Sequence, residues 1–344
     1  MKVVFHEDAR LHHPRTFLVN GVMTECPEVP ERCGVLLRAA RQAGHEEVPP
    51  EDHGPGPIAA VHTAEYLQFL QHIHERWRRI EGASAEVLPN IHPDHRGAGY
   101  PKSAVGQAGY HMADAACPIG AETWRSAYAS AQAAIHGARL VLGGEPVAYA
   151  LCRPPGHHAF KDLAGGFCYL NNNAIAARVL REATGRVAIL DVDLHHGNGT
   201  QGIFYERPDV LTVSLHADPV RFYPFFWGYA HERGAGPGLG FNLNLPLARG
   251  SGDGTFLEAL AAALIRIGAF APEALVVALG LDAYEGDPFG GLKITTGGFA
   301  RIAEAVAALG LPTLLVQEGG YLCDDLGANL AAFLGAFEAG HQAA

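Results

Sequence analysis

An α/β fold, one domain with a mostly parallel central β-sheet of about eight strands and helices on both faces, is predicted by three observations. Short β-rich runs alternate with longer helical patterns along the 344 residues. Most of the short runs are continuous apolar stretches rather than polar-apolar alternations, as expected of strands buried on both faces. Apolar residues make up 48% of the chain and charged residues 18%, enough for a large core and incompatible with disorder. Length divided by a nominal ~150 residues gives about two domains as a prior. No internal repeat and no shift of composition marks a boundary, so residues 1–344 are read as one unit.

The first strand is expected over residues 2–6, where apolar residues run together. Helices follow near 31–42 and 63–80. Residues 82–120 then break the rhythm, in a segment too long for an ordinary connection; such loops are usually functional or partner-facing. The clearest helix covers 122–142, where Trp124, Tyr128, Ala131, Ile135, Ala138 and Leu142 recur at steps of three and four. From there strands at 147–151, 187–191, 210–216, 241–245, 274–280 and 312–317 enclose helices near 174–182, 255–270 and 298–309. Strand and helix alternating in this way imply a parallel sheet covered on both sides. A second irregular stretch, 217–240, holds Phe222, Tyr223, Phe225, Phe226, Trp227 and Tyr229, which serve either as core filling or as the wall of a ligand cleft.

Charge and cysteine content narrow the function. Lys and Arg number 25 against 36 Asp and Glu, for a net charge of −11. No run of like charge offers phosphates a binding stripe, which argues against nucleic acid, while the acidic balance suits a cationic small substrate. The six cysteines include no Cys-x-x-Cys pair, which argues against a disulfide framework or a thiolate zinc site and for a reducing cytoplasm. The N-terminus is too quickly charged for a signal peptide, and the most apolar stretch, 256–281, is broken by Glu258, Arg266 and Glu273, so no membrane span is expected. The 42 glycines and 22 prolines exceed the usual share and belong in turns.

Ligands of open α/β sheets bind beyond the carboxyl ends of the strands, and there the polar residues cluster. After the 187–191 strand come Asp191-Val192-Asp193-Leu194-His195-His196-Gly197-Asn198-Gly199. Alternate residues of an extended chain share a face, so Asp191, Asp193 and His195 point the same way. Carboxylates so placed need a counter-charge, and a divalent cation supplies it. Asp282, after the 274–280 strand, closes a set of Asp193, His195 and Asp282. Three protein ligands with an open position is the pattern of a catalytic zinc site. The plainer alternative is that Asp191 and Asp193 only cap the following turn. After the 147–151 strand, Pro154, Pro155 and Gly156 hold the tandem His157 and His158 in a rigid turn, as a general base requires. The last strand ends in Glu318-Gly319-Gly320-Tyr321, and the phenol is suited to donate to a developing oxyanion.

These residues carry a family resemblance. Arg153-Pro154-Pro155-Gly156-His157-His158, Gly166-Phe167-Cys168-Tyr169-Leu170-Asn171, the Asp191 to Gly199 run, Leu281-Asp282 and Glu318-Gly319-Gly320-Tyr321 together resemble the histone deacetylase superfamily, which shares its fold with arginase. Val61 to Leu67 is similar to its N-terminal helix. Within the superfamily the chain most resembles the bacterial acetylpolyamine amidohydrolases, through Val3 to Asp8, the long insert ending near Gly106 to Tyr110, and Leu215-His216-Ala217-Asp218-Pro219.

The resemblance implies roles. Asp193, His195 and Asp282 would bind zinc, which some members replace with ferrous iron. His158 would be the general base and later protonate the amine; His157, oriented by Asp191, would stabilise charge; Tyr321 would donate to the oxyanion. A structural potassium ion would sit on Asp191, Asp193, His195, Ser214 and the carbonyl of Leu215. Phe167 and Tyr223 would wall a narrow channel, and the 82–120 insert would narrow its mouth and build a homodimer. Asn198 stands where many histone-type members have aspartate; an amide orients His158 without a full charge, so its pKa should be less elevated than theirs. The expected substrates are acetylputrescine, acetylcadaverine or acetylspermidine. The alternatives are a deacetylase of acetyl-lysine in proteins and a silent metal-binding regulator, which would have lost a ligand, a histidine or the tyrosine. An arginase-like manganese site would need more Asp ligands. Asp94 and Asp114 are candidates, by location, for the substrate's distal ammonium, and His92, His95 and His111 for contact with a polyamine or partner.

Overall fold

The computed structural model describes residues 1–95, 97 and 99–343. The chain opens with strand β1 (Lys2–Val4), a hairpin of β2 (Thr16–Val19) and β3 (Val22–Glu25), helix α1 (Glu31–Gln42) and strand β4 (Glu46–Val48). Four helices follow: α2 (Gly56–Ala59), α3 (Ala64–Trp77), α4 (Ala104–His111) and α5 (Thr123–Leu142). The middle alternates β5 (Val147–Ala150), α6 (Asn172–Leu180), β6 (Val187–Asp191), α7 (Asn198–Phe204), β7 (Val210–Ala217) and β8 (Asn242–Leu247). The chain ends with α8 (Asp253–Phe270), β9 (Ala274–Leu279), α9 (Thr296–Ala307), β10 (Thr313–Gln317) and α10 (Leu326–Ala343).

Eight strands form one sheet in the order β4-β1-β5-β10-β9-β6-β7-β8, and every pairing in it is parallel. All eight carboxyl ends therefore lie along one edge. The four central strands, β5, β10, β9 and β6, run directly into the histidine pair, Glu318 to Tyr321, Asp282, and Asp191 to Asn198. Alternating side chains divide the interior in two. Leu190, Val213, Val277 and Leu315 pack with Leu36 of α1, Leu260 of α8, Ile302 of α9 and Phe333 of α10. Ile189, Val276, Leu314 and Val316 pack on the other face with Phe69 of α3, Ile135 of α5 and Ile175 of α6. Each such Leu, Ile or Phe stabilises the fold by roughly 1.5–3 kcal/mol, so the sheet is a rigid platform for what its edge carries.

Each strand expected from the sequence forms, within two residues of the expected ends. Others form where contrast is low. β4 reads as Glu46-Glu47-Val48 and lies at the sheet edge, where charge is tolerated. In α10, Leu326, Leu330, Phe333, Leu334 and Phe337 are buried, but the opposite face is mostly Ala and Gly, so little amphipathic contrast marks it. The 82–120 segment is partly ordered as α4, capped by the Ser103 hydroxyl, which accepts from Gly106 N at 3.1 Å, and is tied by a bridge between Val87 and Ile119. Residues 96 and 98 of it lie outside the described residues. Among the described residues no helix is long and apolar enough to cross a membrane.

Candidate active site

The turn after β5 is held from beneath by the carboxylate that follows β10. The backbone N–H groups of Gly156 and His157 donate to Glu318 Oε2 at 2.8 and 3.0 Å, and Asn173 Nδ2 donates to its Oε1 at 2.6 Å. Burial pushes the Glu318 carboxyl up to about 7, although His157 and the two backbone donors pull it back. The tandem rings lie 4.0 Å apart. His157 Nδ1–H donates to Asp191 Oδ2 at 2.9 Å, and His158 Nδ1–H donates to the Asn198 amide oxygen at 2.7 Å. The two imidazoles are driven apart in charge. Burial pulls His157 down, but the Asp193 and Asp191 carboxylates outweigh it and hold the ring well above the usual histidine range. Burial, then His157 and His195, hold His158 well below that range despite Asn198. A neutral His158 whose Nδ1 is occupied presents the lone pair of Nε2, the atom a general base uses.

Asp193, His195 and Asp282, all buried, bring one potential ligand atom each within 4.8 Å of one another. His195 Nδ1 lies 3.2 Å from Asp193 Oδ1 and 3.1 Å from Asp282 Oδ2. Backbone donors fix both carboxylates: Gly319 N reaches Asp193 Oδ2 at 2.8 Å, and Leu194 N reaches Asp282 Oδ1 at 3.0 Å. Asp282 is pushed up by burial first and by Asp193 second, the electrostatic mark of a donor set short of positive charge. Two carboxylates and an imidazole are borderline-hard ligands suited to a divalent transition metal, so the residues fit such an ion. Asp191 pairs in register with Ser214 of β7, which sets two oxygen-bearing side chains side by side behind this set.

Tyr321 is buried, and burial raises its phenol well above its ordinary value, so it stays a proton-bearing donor. Its backbone N–H donates to Asp287 Oδ2 at 3.0 Å. Behind it lies a charge network that the strand-end pattern did not signal. Arg32 of α1 stacks over the Tyr321 ring at 4.8 Å and donates to the carbonyls of Gly320 and Glu318 at 2.5 and 2.7 Å. Glu28 Oε1 receives both Arg32 and Arg153, at 2.6 and 2.8 Å, with all three side chains buried. Removing the single carboxylate strands two buried guanidinium groups. Glu28→Gln is therefore expected to lower unfolding stability by roughly 3–5 kcal/mol. Urea denaturation measures it, and an unchanged midpoint would show that the two arginines stand without their counter-ion.

Aromatic rings line the approach. Phe167 lies 6.0 Å from Tyr321, and Tyr223 lies 4.9 Å from His158. Phe289, 5.3 Å from His195 and 4.8 Å from Tyr321, and Phe17 of β2, 5.4 Å from Phe167, complete the wall from segments that carry no strand-end motif. A Cβ at Gly166 would stand 2.5 Å from His158 Cδ2 and 2.8 Å from the Tyr223 hydroxyl, so only glycine lets the rings close in. Of the aromatic run after β7, Phe222 stacks on His195 at 5.2 Å, whereas Phe226 is 84% exposed. The run thus divides between site wall and surface. From the long insert, Asp114 accepts the Tyr223 hydroxyl at 2.7 Å and the Gly166 N–H at 3.3 Å. His111, considered from sequence as a contact for ligand or partner, is instead buried against Tyr66 and Phe69, its Nδ1 2.8 Å from the Asp162 carbonyl. Asp94 and His95 are exposed and pair with each other.

A parallel sheet that gathers buried carboxylates, paired imidazoles and a phenol at its carboxyl edge defines an α/β hydrolytic enzyme. The family model described as Histone deacetylase domain matches residues 26–337, so the chain belongs to that family and is a hydrolytic deacetylase. It is similar to the acetylpolyamine amidohydrolase of Burkholderia pseudomallei, 50% identical over 340 residues and covering 98% of this chain and 99% of that one. The acetylpolyamine amidohydrolase of Mycoplana ramosa is 43% identical over 337 residues, covering 97% and 98%. The crystal structure of acetylpolyamine aminohydrolase from Burkholderia pseudomallei superposes with a TM-score of 0.96 at 50% identity, covering 99% of each chain.

Proposed function

We propose that the chain hydrolyses N-acetylated polyamines, such as acetylputrescine, acetylcadaverine or acetylspermidine, to acetate and the free amine. The observation that carries this reading is Asp114, a carboxylate from the long insert that accepts the hydroxyl of Tyr223, the ring that packs on His158, and so offers a counter-charge to a substrate's distal ammonium. Relatives named for acetylpolyamines that match from end to end support it.

Asp193, His195 and Asp282 would hold the divalent metal, zinc or ferrous iron. When bound, such an ion lowers the pKa of water toward ~7 and polarises a carbonyl. His158 Nε2 takes the proton of the attacking water and delivers it to the departing amine. His157, oriented by Asp191, stabilises charge beside it, and Tyr321 donates to the oxyanion as the carbonyl becomes tetrahedral. Asn198 orients His158 through its amide. Phe167 and Tyr223 flank the methylene chain, which binds by apolar contact. Asp191, Asp193, His195, Ser214 and the Leu215 carbonyl form the proposed potassium site. The insert over 82–120 narrows the mouth and is the proposed homodimer contact, a role supported by the exposure of Ile91 and Tyr100. The proposed compartment is a reducing cytoplasm, which suits six cysteines with no Cys-x-x-Cys pair.

A side-by-side assay of the zinc-loaded protein on the three acetylpolyamines and an acetyl-lysine peptide tests this reading. The expected result is a higher kcat/KM on at least one polyamine than on the peptide. Preference for the peptide would make the chain a protein deacetylase instead.

A further inference from the structure

Apart from Asp193, His195 and Asp282, a second group of ligand-bearing side chains converges where the loop after β4 crosses α5. Along α5, Tyr128, Gln132 and His136 follow at four-residue steps and so share one face, and each of them grips the loop. The Tyr128 hydroxyl donates to Asp52 Oδ1 at 2.7 Å. Gln132 clamps the loop from both sides: its Oε1 accepts from His53 N at 2.8 Å, and its Nε2 donates to the Gly54 carbonyl at 3.0 Å. Asp52 Oδ1 also accepts from Gly54 N at 2.8 Å, which closes the turn. The backbone that presents Glu51 and His53 is thus fixed before any ligand arrives.

What this frame holds together is two imidazoles and a carboxylate. His53 Nε2 and His136 Nδ1 are 3.2 Å apart, and a Glu51 carboxylate oxygen completes a set whose ligand atoms all lie within 4.8 Å of one another. Ligand atoms around a tetrahedral zinc ion, bound at ~2.0–2.1 Å, stand about 3.3 Å apart, so the two nitrogens already have the spacing of neighbouring corners. Glu51 is exposed and both histidines are half-buried, which leaves ions a path in and leaves a coordination position for water.

We infer that Glu51, His53 and His136 form a second, peripheral site for a divalent transition metal such as zinc, which staples the loop after the edge strand β4 to α5. The site is independent of the acetyl-group chemistry and shares no ligand with Asp193, His195 and Asp282. Two imidazoles and one carboxylate select zinc over calcium or magnesium, which prefer all-oxygen shells.

The test uses Zn2+ alone as the probe and the full chain carrying Asp193→Ala, so that the catalytic set does not contribute. Bound zinc is counted by elemental analysis after gel filtration. The expected result is one equivalent in Asp193→Ala and none when His136→Ala or His53→Ala is added, with far-UV circular dichroism unchanged. Added zinc should raise the Tm of Asp193→Ala and not that of the Asp193→Ala, His136→Ala double variant. In the otherwise unaltered enzyme, His136→Ala should remove one of two zinc equivalents and leave deacetylase turnover in place. Absence of zinc from Asp193→Ala, or a full equivalent retained in both double variants, would overturn the inference and leave the two histidines as a hydrogen-bonded pair.

Discussion

Asp193→Ala is expected to carry no metal at the catalytic set and to show no measurable deacetylase turnover. The expected loss exceeds the ~10²–10³-fold that follows removal of one oxyanion donor. Asp193 is held ionised: burial pushes its carboxyl up, but His157 and His195 outweigh burial and bring it far below the usual carboxylate range. It also receives the backbone N–H groups of His195 and Gly319, each at 2.8 Å. Its removal takes away a ligand and the tie between the end of β6 and the end of β10. Metal content and kcat/KM measured on the same preparation decide the matter. Turnover that persists without bound metal would show that the set does not serve the reaction.

Tyr321→Phe should lower kcat by about two orders of magnitude while KM and metal content stay close to those of the parent. The phenol is asked for a proton-bearing donor that matters most when charge develops on the substrate oxygen, and such an interaction shows in kcat rather than in binding. The ring itself is seated by Arg32, 4.8 Å away, and by Phe289, at 4.8 Å, and phenylalanine keeps both contacts. A loss under about tenfold would deny the hydroxyl its role. Loss of metal with the hydroxyl would mean that Tyr321 supports the ligand set rather than the oxyanion.

Much of this site is legible in the sequence because parallel strands deliver it in contiguous pieces. Asp191, Asp193, His195, Asp282 and Tyr321 all follow apolar runs that end abruptly in polar residues, although β6 ends at Asp191 and the chain bends over 193–195 instead of staying extended. What stays hidden depends on partners far away in the chain. Glu28 and Arg32 sit in and just before an ordinary helix, and nothing local shows that Arg32 reaches Glu318, 286 residues on. Phe289 and Phe17 lie in a loop and on a small hairpin, so their places beside His195 and Phe167 are set by tertiary packing alone. His111 misleads for the opposite reason: it stands in a segment of suggestive length, but α4 turns it inward. Strand β4 and helix α10 escape periodicity because one is acidic and the other lacks a charged face.

The tie from Arg32 and Arg153 through Glu28 also has a consequence for chain entropy. It joins the first thirty-odd residues to a turn near 153 and to a loop near 320, contacts 125 to 288 residues apart in the chain. Closing loops of this length costs chain entropy, which the network must offset. The sheet bridges separations of the same order, since Lys2 pairs with Ala148 and Val147 with Thr313, so the network and the strand order fix the same distant segments together.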